Sequence, residues 1–185
     1  MTLAPRTVWL ATWIAALGLW TATPTLSHAQ LLRADLRVDG LTCPFCAFGI
    51  EKKLRAVDGV EEVDVLLDEG EVRLRLAAQN EATVSAFEKA VEAAGFGLAG
   101  LRVEVRGTVS EREGDPVVEA NGAVRFRLLE MAGGRTQPIS DARLQRILAE
   151  AADGLVSVTG TVDGGRNGLR GLIVDGTPEV RRGAG

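Results

Sequence analysis

The chain of 185 residues contains no tyrosine, one histidine and two cysteines. All three tryptophans and the histidine lie within the first 29 residues. Without that segment, phenylalanine is the only aromatic residue and no imidazole is left. This composition excludes histidine general bases, Ser-His-Asp and Cys-His nucleophiles and histidine-ligated zinc sites. We expect a protein that is not an enzyme.

The first 29 residues have the pattern of an export signal. Arg6 is the only charged residue, Val8 to Trp20 is an apolar run, and Ser27-His28-Ala29 has small residues at both key positions of a cleavage site. The apolar run is shorter than the roughly 20 residues that a membrane-spanning helix needs. The sequence predicts a signal peptide over 1–29, cleavage after Ala29, and a periplasmic protein with no stable membrane insertion after cleavage.

The charge balance of the remaining chain is acidic. Residues 30–185 contain 20 basic and 25 acidic residues. The excess belongs to residues 30–104, with 9 basic and 14 acidic residues, whereas residues 105–185 have 11 of each. Neither half is basic enough to suggest a nucleic-acid partner.

The first half has the element order β-α-β-β-α-β, which is the ferredoxin-like arrangement. A helix is predicted to start at Pro44 and to stop at Gly59, because proline suits the first helical position and glycine the end. Asn80 is predicted to cap a second helix from Glu81 to about Ala94. The predicted strands cover 31–38, 60–67, the return strand that contains Val72, Leu74 and Leu76, and a segment beginning near Ala99.

The second half predicts a small barrel. It holds 14 of the 22 glycines, and Gly107 and Gly160 each interrupt a strand-like segment, as at barrel corners. One helix is predicted at 141–152, with Ser140 as its cap and Gly154 as its stop. Strand-like runs are found at 101–112, 122–130, 155–163 and 171–175. This arrangement of strands and one helix is similar to an OB-type barrel.

The predicted fold class is therefore α+β. A ferredoxin-like domain at 30–102 is followed by a small, mainly β, OB-like domain at 103–185. The join is placed within 98–106, where one long strand could serve both halves.

The chemistry of the chain is concentrated in Cys43-Pro44-Phe45-Cys46. With Pro44 as the first helical residue, Cys43 is the N-cap and Cys46 lies in the first turn. The exposed N–H groups and the dipole of the helix start favour thiolates. Two thiolates suit a soft ion, so Cu(I) or Hg(II) fits best, whereas Zn(II) would need two more ligands.

The segment resembles the heavy-metal-associated domain family. The resemblance is carried by Val38 to Cys46, by Ile50-Glu-Lys-Lys-Leu54 with Gly59-Val60, by the hairpin from Asp68 to Leu76 and by Glu92 to Phe96. The resemblance covers about residues 31–104. The family includes copper chaperones, domains of copper-transporting ATPases and periplasmic mercury-binding proteins. It implies that Cys43 and Cys46 are the metal ligands. It also implies that the metal passes to a metal-transporting membrane protein or another CxxC domain.

The chain departs from the family at two positions near the cysteines. Leu41 stands where a methionine is usual; because that methionine is understood as a packing residue, leucine should be tolerated. Pro44-Phe45 is a less typical pair between the cysteines. Phe96 stands where tyrosine or phenylalanine is common, and the resemblance implies that it shields the metal.

Three alternatives remain open at this point. The cysteines could form a structural disulfide, since exported proteins oxidise readily. They could serve a thiol–disulfide oxidoreductase, although Pro116, the candidate for the facing proline loop, lies in a polar turn of the second half. Thirdly, the barrel-like half could bind a partner protein, with the first half regulating it.

Other residues near the motif admit two interpretations. Phe45 and Phe48 form either an exposed apolar docking surface or a contact with the second half. Lys52 and Lys53 are expected to be solvated, and Arg73 and Arg75, opposite Asp64, are explained by cross-strand charge pairing.

Overall fold

The structure, a computed structural model, describes residues 29–166 and 169–175. The predicted signal peptide lies outside these residues except for Ala29. Among the described helices, none combines the length and the apolar character needed to cross a membrane.

The first half has the predicted β-α-β-β-α-β order. Its elements are β1 (Gln30–Asp39), α1 (Pro44–Arg55), β2 (Val60–Leu66), β3 (Glu71–Leu76), α2 (Val84–Ala93) and β4 (Gly97–Arg112). The strands lie in the order β2-β3-β1-β4, and each neighbouring pair is antiparallel. This confirms the α+β class.

The core of this half lies between the sheet and the two helices. Strand residues alternate between buried and exposed, so that Leu36, Val72 and Leu74 are inside. The helices present Ile50 and Phe87, which are fully buried, to that sheet face. One side of each element is thus committed to packing, and the outer face of α1 is left for solvent.

The predicted start of the second helix is wrong by three residues. α2 begins at Val84, and its N-cap is Thr83, whose hydroxyl accepts a hydrogen bond from Ala86 N at 3.3 Å. Asn80 is instead buried, and its amide donates to the carbonyls of Leu31 and Ala77 at 2.8 and 2.7 Å. Asn80 therefore ties the loop before α2 to the sheet and is not available to cap the helix.

The second half closes its strands into a ring. Its elements are β5 (Asp115–Ala120), β6 (Val124–Ala132), β7 (Arg135–Pro138), α3 (Asp141–Ala149), β8 (Val156–Arg166) and β9 (Leu169–Val174). Along the ring, β4 pairs with β5, β5 with β6, β6 with β9, β9 with β8, and β8 again with β4. The closed ring is the feature that a small barrel requires; its assignment to the OB type stays a prediction.

The sequence patterns missed two strands of the second half, β5 in the ring and β7 beside it, and they predicted too long a helix. The sequence places Asp115 and Pro116 in a polar turn, but in the structure they begin β5. The turn consists only of Glu113 and Gly114, both with positive φ. Pro116 thus lies in a strand, contrary to the prediction. β7 is exposed along its whole length and carries no apolar pattern. α3 ends at Ala149, before the predicted residue 152.

β4 belongs to both halves and runs through the predicted boundary at 102/103. It pairs with β1 over 97–106, with β8 over 102–107 and with β5 over 108–112. At about 3.3 Å per residue, the stretch from Gly97 to Gly107 spans about 33 Å. Because Gly97 pairs with Asp39, close to the cysteine loop, that loop lies at the opposite end of this stretch from the point where β4 begins to pair with β5.

Candidate metal centre

The loop that carries Cys43 is fixed at both of its ends. It follows β1 at Gly40, where φ is +75°, a conformation that glycine adopts without strain. Leu41 is 1% exposed and inserts into the core, so the predicted packing role of this leucine is confirmed. Pro44 is the first helical residue and Cys43 is the N-cap, with extended backbone angles (φ −115°, ψ 131°), as predicted.

Cys46 lies in the first turn of α1, and its thiol is within hydrogen-bonding reach of the Cys43 sulfur. Both cysteines are free thiols and are partly exposed. Two sulfur donors are therefore presented together at the start of one helix, accessible from solvent.

The two thiols differ in acidity because one donates to the other. The hydrogen bond from the Cys46 thiol lowers the pKa of Cys43, helped by the backbone N–H groups of Cys46 and Phe45. The same bond raises the pKa of Cys46, which must lose the proton that it shares. Cys43 thus becomes a thiolate first, at the positive end of the helix.

The donor set fits a soft ion of low coordination number. In the described part of the chain, no group of three or more His, Cys, Asp or Glu side chains could hold a metal ion. Two thiolates without a third protein ligand suit Cu(I), whereas tetrahedral Zn(II) would be left two ligands short.

Phe96 lies at the same end of the sheet as the cysteine loop. It is the last residue before β4, and β4 begins by pairing Gly97 with Asp39. Phe96 is partly buried and packs against the core. Its shielding of a metal remains a prediction.

Phe45 and Phe48 are exposed, at 90% and 69%. Of the two interpretations, packing against the second half is therefore excluded. Phe48 forms one wall of a shallow groove of about 340 Å³ on α1, whose other walls are Glu51, Lys52, Arg55 and Ala56. Sequence reasoning missed the groove, although the spacing of Phe48, Lys52 and Arg55 at i, i+4 and i+7 is the signal of a shared helix face.

The charged residues near the motif behave largely as expected. Lys52 and Lys53 are exposed. Arg73 pairs with Glu71 and Glu69 at 2.8 and 3.1 Å, and Arg75 pairs with Glu62 and Glu61 at 2.7 and 3.2 Å. Asp64 is the cross-strand neighbour of Arg73, but the ion pairs are made to the glutamates.

The first half is similar to known metal-binding proteins. The heavy-metal-associated domain profile matches residues 35–97, a segment that contains both cysteines. A curated relative, the COP-associated protein of Helicobacter felis, is 34% identical over 67 residues, which are 36% of this chain and 98% of the relative.

Three solved structures show similarity over the same fraction of the chain. The CopZ metallochaperone is 30% identical, with 36% of this chain and 98% of that chain covered, at a TM-score of 0.34. The yeast copper transporter domain Ccc2a is 31% identical; the match covers 36% of this chain and 90% of that chain, and the TM-score is 0.33. The N-terminal domain of a potential copper-translocating P-type ATPase from Bacillus subtilis is 32% identical. The match covers 37% of this chain and 84% of that chain, and the TM-score is 0.34.

Proposed function

Because the chain belongs to the heavy-metal-associated domain family, we propose that it is a carrier of a soft metal ion, with Cys43 and Cys46 as the ligands. The observation that carries this proposal is the placement of two free thiols side by side at the start of α1. A lowered pKa at Cys43 favours the deprotonated form that a soft metal needs.

Cu(I) is the proposed cargo. Two thiolates, with no third donor group beside them among residues 29–166 and 169–175, match its preference for soft ligands and low coordination number. Hg(II) has the same preference and is the alternative cargo. The predicted signal peptide over 1–29 supports a periplasmic location for this carrier, and its acceptor would be a metal-transporting membrane protein or another CxxC domain.

Transfer would proceed by ligand exchange, without oxidation or reduction. An incoming thiolate of the acceptor binds the ion while one bond to Cys43 or Cys46 is still intact. Each acceptor thiol gives up its proton, and each released cysteine takes one up. The exposure of both cysteines allows a second protein to reach the ion directly. The protein then acts as a carrier and not as a catalyst.

The test is a Cu(I) titration of the reduced protein against a competing chromophoric chelator. We expect one equivalent of Cu(I) per chain and its loss in Cys43→Ser and in Cys46→Ser. Met131 is the only other sulfur after the predicted cleavage site, so Met131→Ser is the matched control and should bind normally. The same titration with Hg(II) measures the affinity for the alternative cargo.

Retention of tight binding by the double cysteine variant would contradict the site. Absence of binding in the unsubstituted protein would favour the thiol–disulfide alternative, for which the lowered pKa of Cys43 is the supporting observation. The reduction potential of the cysteine pair would then be the quantity to measure.

A further inference from the structure

Gln30 is the first residue of β1, and the predicted cleavage after Ala29 would make it the first residue of the chain. The next residue, Leu31, is completely buried and anchors this end of the strand in the core. Gln30 itself lies opposite Arg106 of β4 in the antiparallel ladder. A new chain end at Gln30 would therefore be held within the sheet.

The structure places a neutral amide where this cleavage would create a charge. The carbonyl of Ala29 accepts a hydrogen bond from Asn121 N at 2.9 Å, and Ala29 packs against the core. Removal of Ala29 takes away that acceptor and leaves an α-ammonium group on Gln30. This group would lie across the ladder from Arg106. Like charges directly opposite each other destabilise a strand pair, so the ammonium form is unfavourable here.

The side-chain amide of Gln30 is held by a backbone donor. Gln79 N donates a hydrogen bond to Gln30 Oε1 at 2.5 Å. Gln79 has a φ of 66°, which is uncommon for a residue other than glycine, and the N–H of this turn points at the Gln30 side chain. A donor on the carbonyl oxygen stabilises the negative charge that develops there when a nucleophile attacks Cδ.

We propose that Gln30 is a modification site, at which the chain end closes to pyroglutamate once Ala29 has been removed. The neutral α-amine attacks Cδ of its own side chain, so that the N–Cδ bond forms and the Cδ–Nε2 bond breaks. One proton of the amine goes to Nε2, which leaves as ammonia, and nothing is oxidised or reduced. In the resulting lactam, Gln30 N again belongs to a neutral amide, and Oε1 is retained as an acceptor.

Two neighbours of Gln30 favour this step. Arg106 disfavours the ammonium form and therefore favours the neutral amine, which is the nucleophile. The N–H of Gln79 stabilises the charge that develops on Oε1. The lactam is uncharged, so its formation removes the repulsion from Arg106.

This inference goes beyond the proposed metal carrier and does not depend on it. Gln30 and the cysteine loop lie at opposite ends of β1, which at about 3.4 Å per residue is about 30 Å long. It does depend on the predicted cleavage after Ala29, and the first experiment tests both together.

The first experiment identifies the chain end of the exported protein. The full chain is expressed in a bacterium with its own N-terminal segment, and the N-terminal peptide is identified by mass spectrometry. We expect a peptide that begins at residue 30 and is lighter by one ammonia than the unmodified peptide. Gln30→Ala is the control and should begin at the same residue without that loss. A free amine on Gln30, or a different first residue, would overturn the proposal.

The rate of ammonia loss separates the effect of the fold from the reactivity of any N-terminal glutamine. Residues 30–185 are released from a cleavable tag, and the mass is followed in the folded protein and in guanidinium chloride. We expect the folded protein to react about tenfold faster. This factor is smaller than the roughly 100-fold or more of a buried oxyanion donor, because solvent competes at this exposed site. Equal rates, or a slower reaction of the folded protein, would contradict the roles of Arg106 and Gln79.

Variants of Gln79 locate the donor. Gln79→Pro removes the N–H, and the rate of the folded variant should fall towards that of the unfolded chain. Gln79→Gly keeps the N–H and suits the positive φ, so this matched control should react at the unchanged rate. An unchanged rate in Gln79→Pro would overturn the role of the donor. If circular dichroism shows that the proline variant is unfolded, the comparison in guanidinium chloride decides alone.

Stability provides a readout that is independent of the rate. The cyclised protein should melt about 2 °C higher at neutral pH than the freshly released protein, because the repulsion from Arg106 is gone. Equal melting temperatures would contradict that repulsion. Both forms should bind the same amount of Cu(I), so failure of the modification and failure of the metal site are distinguishable.

Discussion

Glu88 of α2 and Arg170 of β9 form a bidentate ion pair that joins the two halves of the molecule. Arg170 Nη1 donates to Glu88 Oε1 and Nη2 donates to Oε2, both at 2.7 Å. Parallel hydrogen bonds of this kind fix the relative orientation of the two side chains. Because about a third of each side chain is exposed, solvent screens the attraction, and the pair orients α2 against the barrel more than it stabilises the fold.

A double-mutant cycle with Glu88→Gln and Arg170→Gln measures this link. We expect a coupling free energy of about 0.5 to 1 kcal/mol from urea unfolding, at the upper end for a partly exposed pair because of its geometry. High salt should reduce it. The Glu51–Arg55 pair within α1 is the control, with about 0.3 to 0.5 kcal/mol expected at its i,i+4 spacing. Zero coupling at low salt would contradict the orienting role.

Gly107 allows β4 to leave the first sheet and enter the barrel. A Cβ atom at this position would overlap the backbone carbonyl of Glu119 on β5, and a backbone group cannot move aside cheaply. We expect Gly107→Ala to destabilise the protein by about 2 kcal/mol or more, as for overpacking in a core. Gly164→Ala, where nothing lies within 4 Å of the new atom, should change the unfolding free energy by less than about 0.5 kcal/mol. Equal effects in thermal denaturation would show that the close approach is not needed.

Asn80 should matter more to stability than the true cap of α2. Asn80→Ala leaves the carbonyls of Leu31 and Ala77 without their side-chain donor and removes the acceptor of Ala82 N, so we expect a loss of about 2 to 3 kcal/mol. Thr83→Ala removes one capping bond and should cost about 1 kcal/mol. Denaturant unfolding of both variants compares them directly. The reverse order would mean that the hydrogen bonds of Asn80 contribute less to stability than the cap of α2.

The parts of the fold that the sequence predicted are those with local signals. Val72, Leu74 and Leu76 alternate strictly, and all three are buried. The position of the cysteines was predictable because Pro44 marks the helix start, which puts Cys43 and Cys46 one turn apart. Here the residue spacing alone determines the geometry.

The missed elements either carry no apolar pattern or depend on contacts that are distant in sequence. β7 is exposed throughout and is a strand only because β6 pairs with it, so no apolar period marks it. The groove on α1 exists because no other element packs against the outer face of this helix. The same helix pattern would fit a helix that the barrel covers, so the sequence could not predict the groove. Burial of Asn80 likewise follows from its contact with β1, 49 residues away.

The difference in acidity between the two cysteines predicts the order in which they react and how metal binding depends on pH. Since the pKa of Cys43 is lowered and that of Cys46 raised, Cys43 should be alkylated first by iodoacetamide at neutral pH. Cys46→Ala removes the donated hydrogen bond and should raise the pKa of Cys43, whereas Cys46→Ser retains a donor and should raise it less. Thiolate absorbance as a function of pH measures both. As the pH falls, Cys46 is protonated before Cys43, so the apparent Cu(I) affinity should drop about tenfold per pH unit between the two pKa values and more steeply below the lower one. Equal alkylation rates, or an affinity that does not change with pH, would contradict a site in which both sulfurs bind as thiolates.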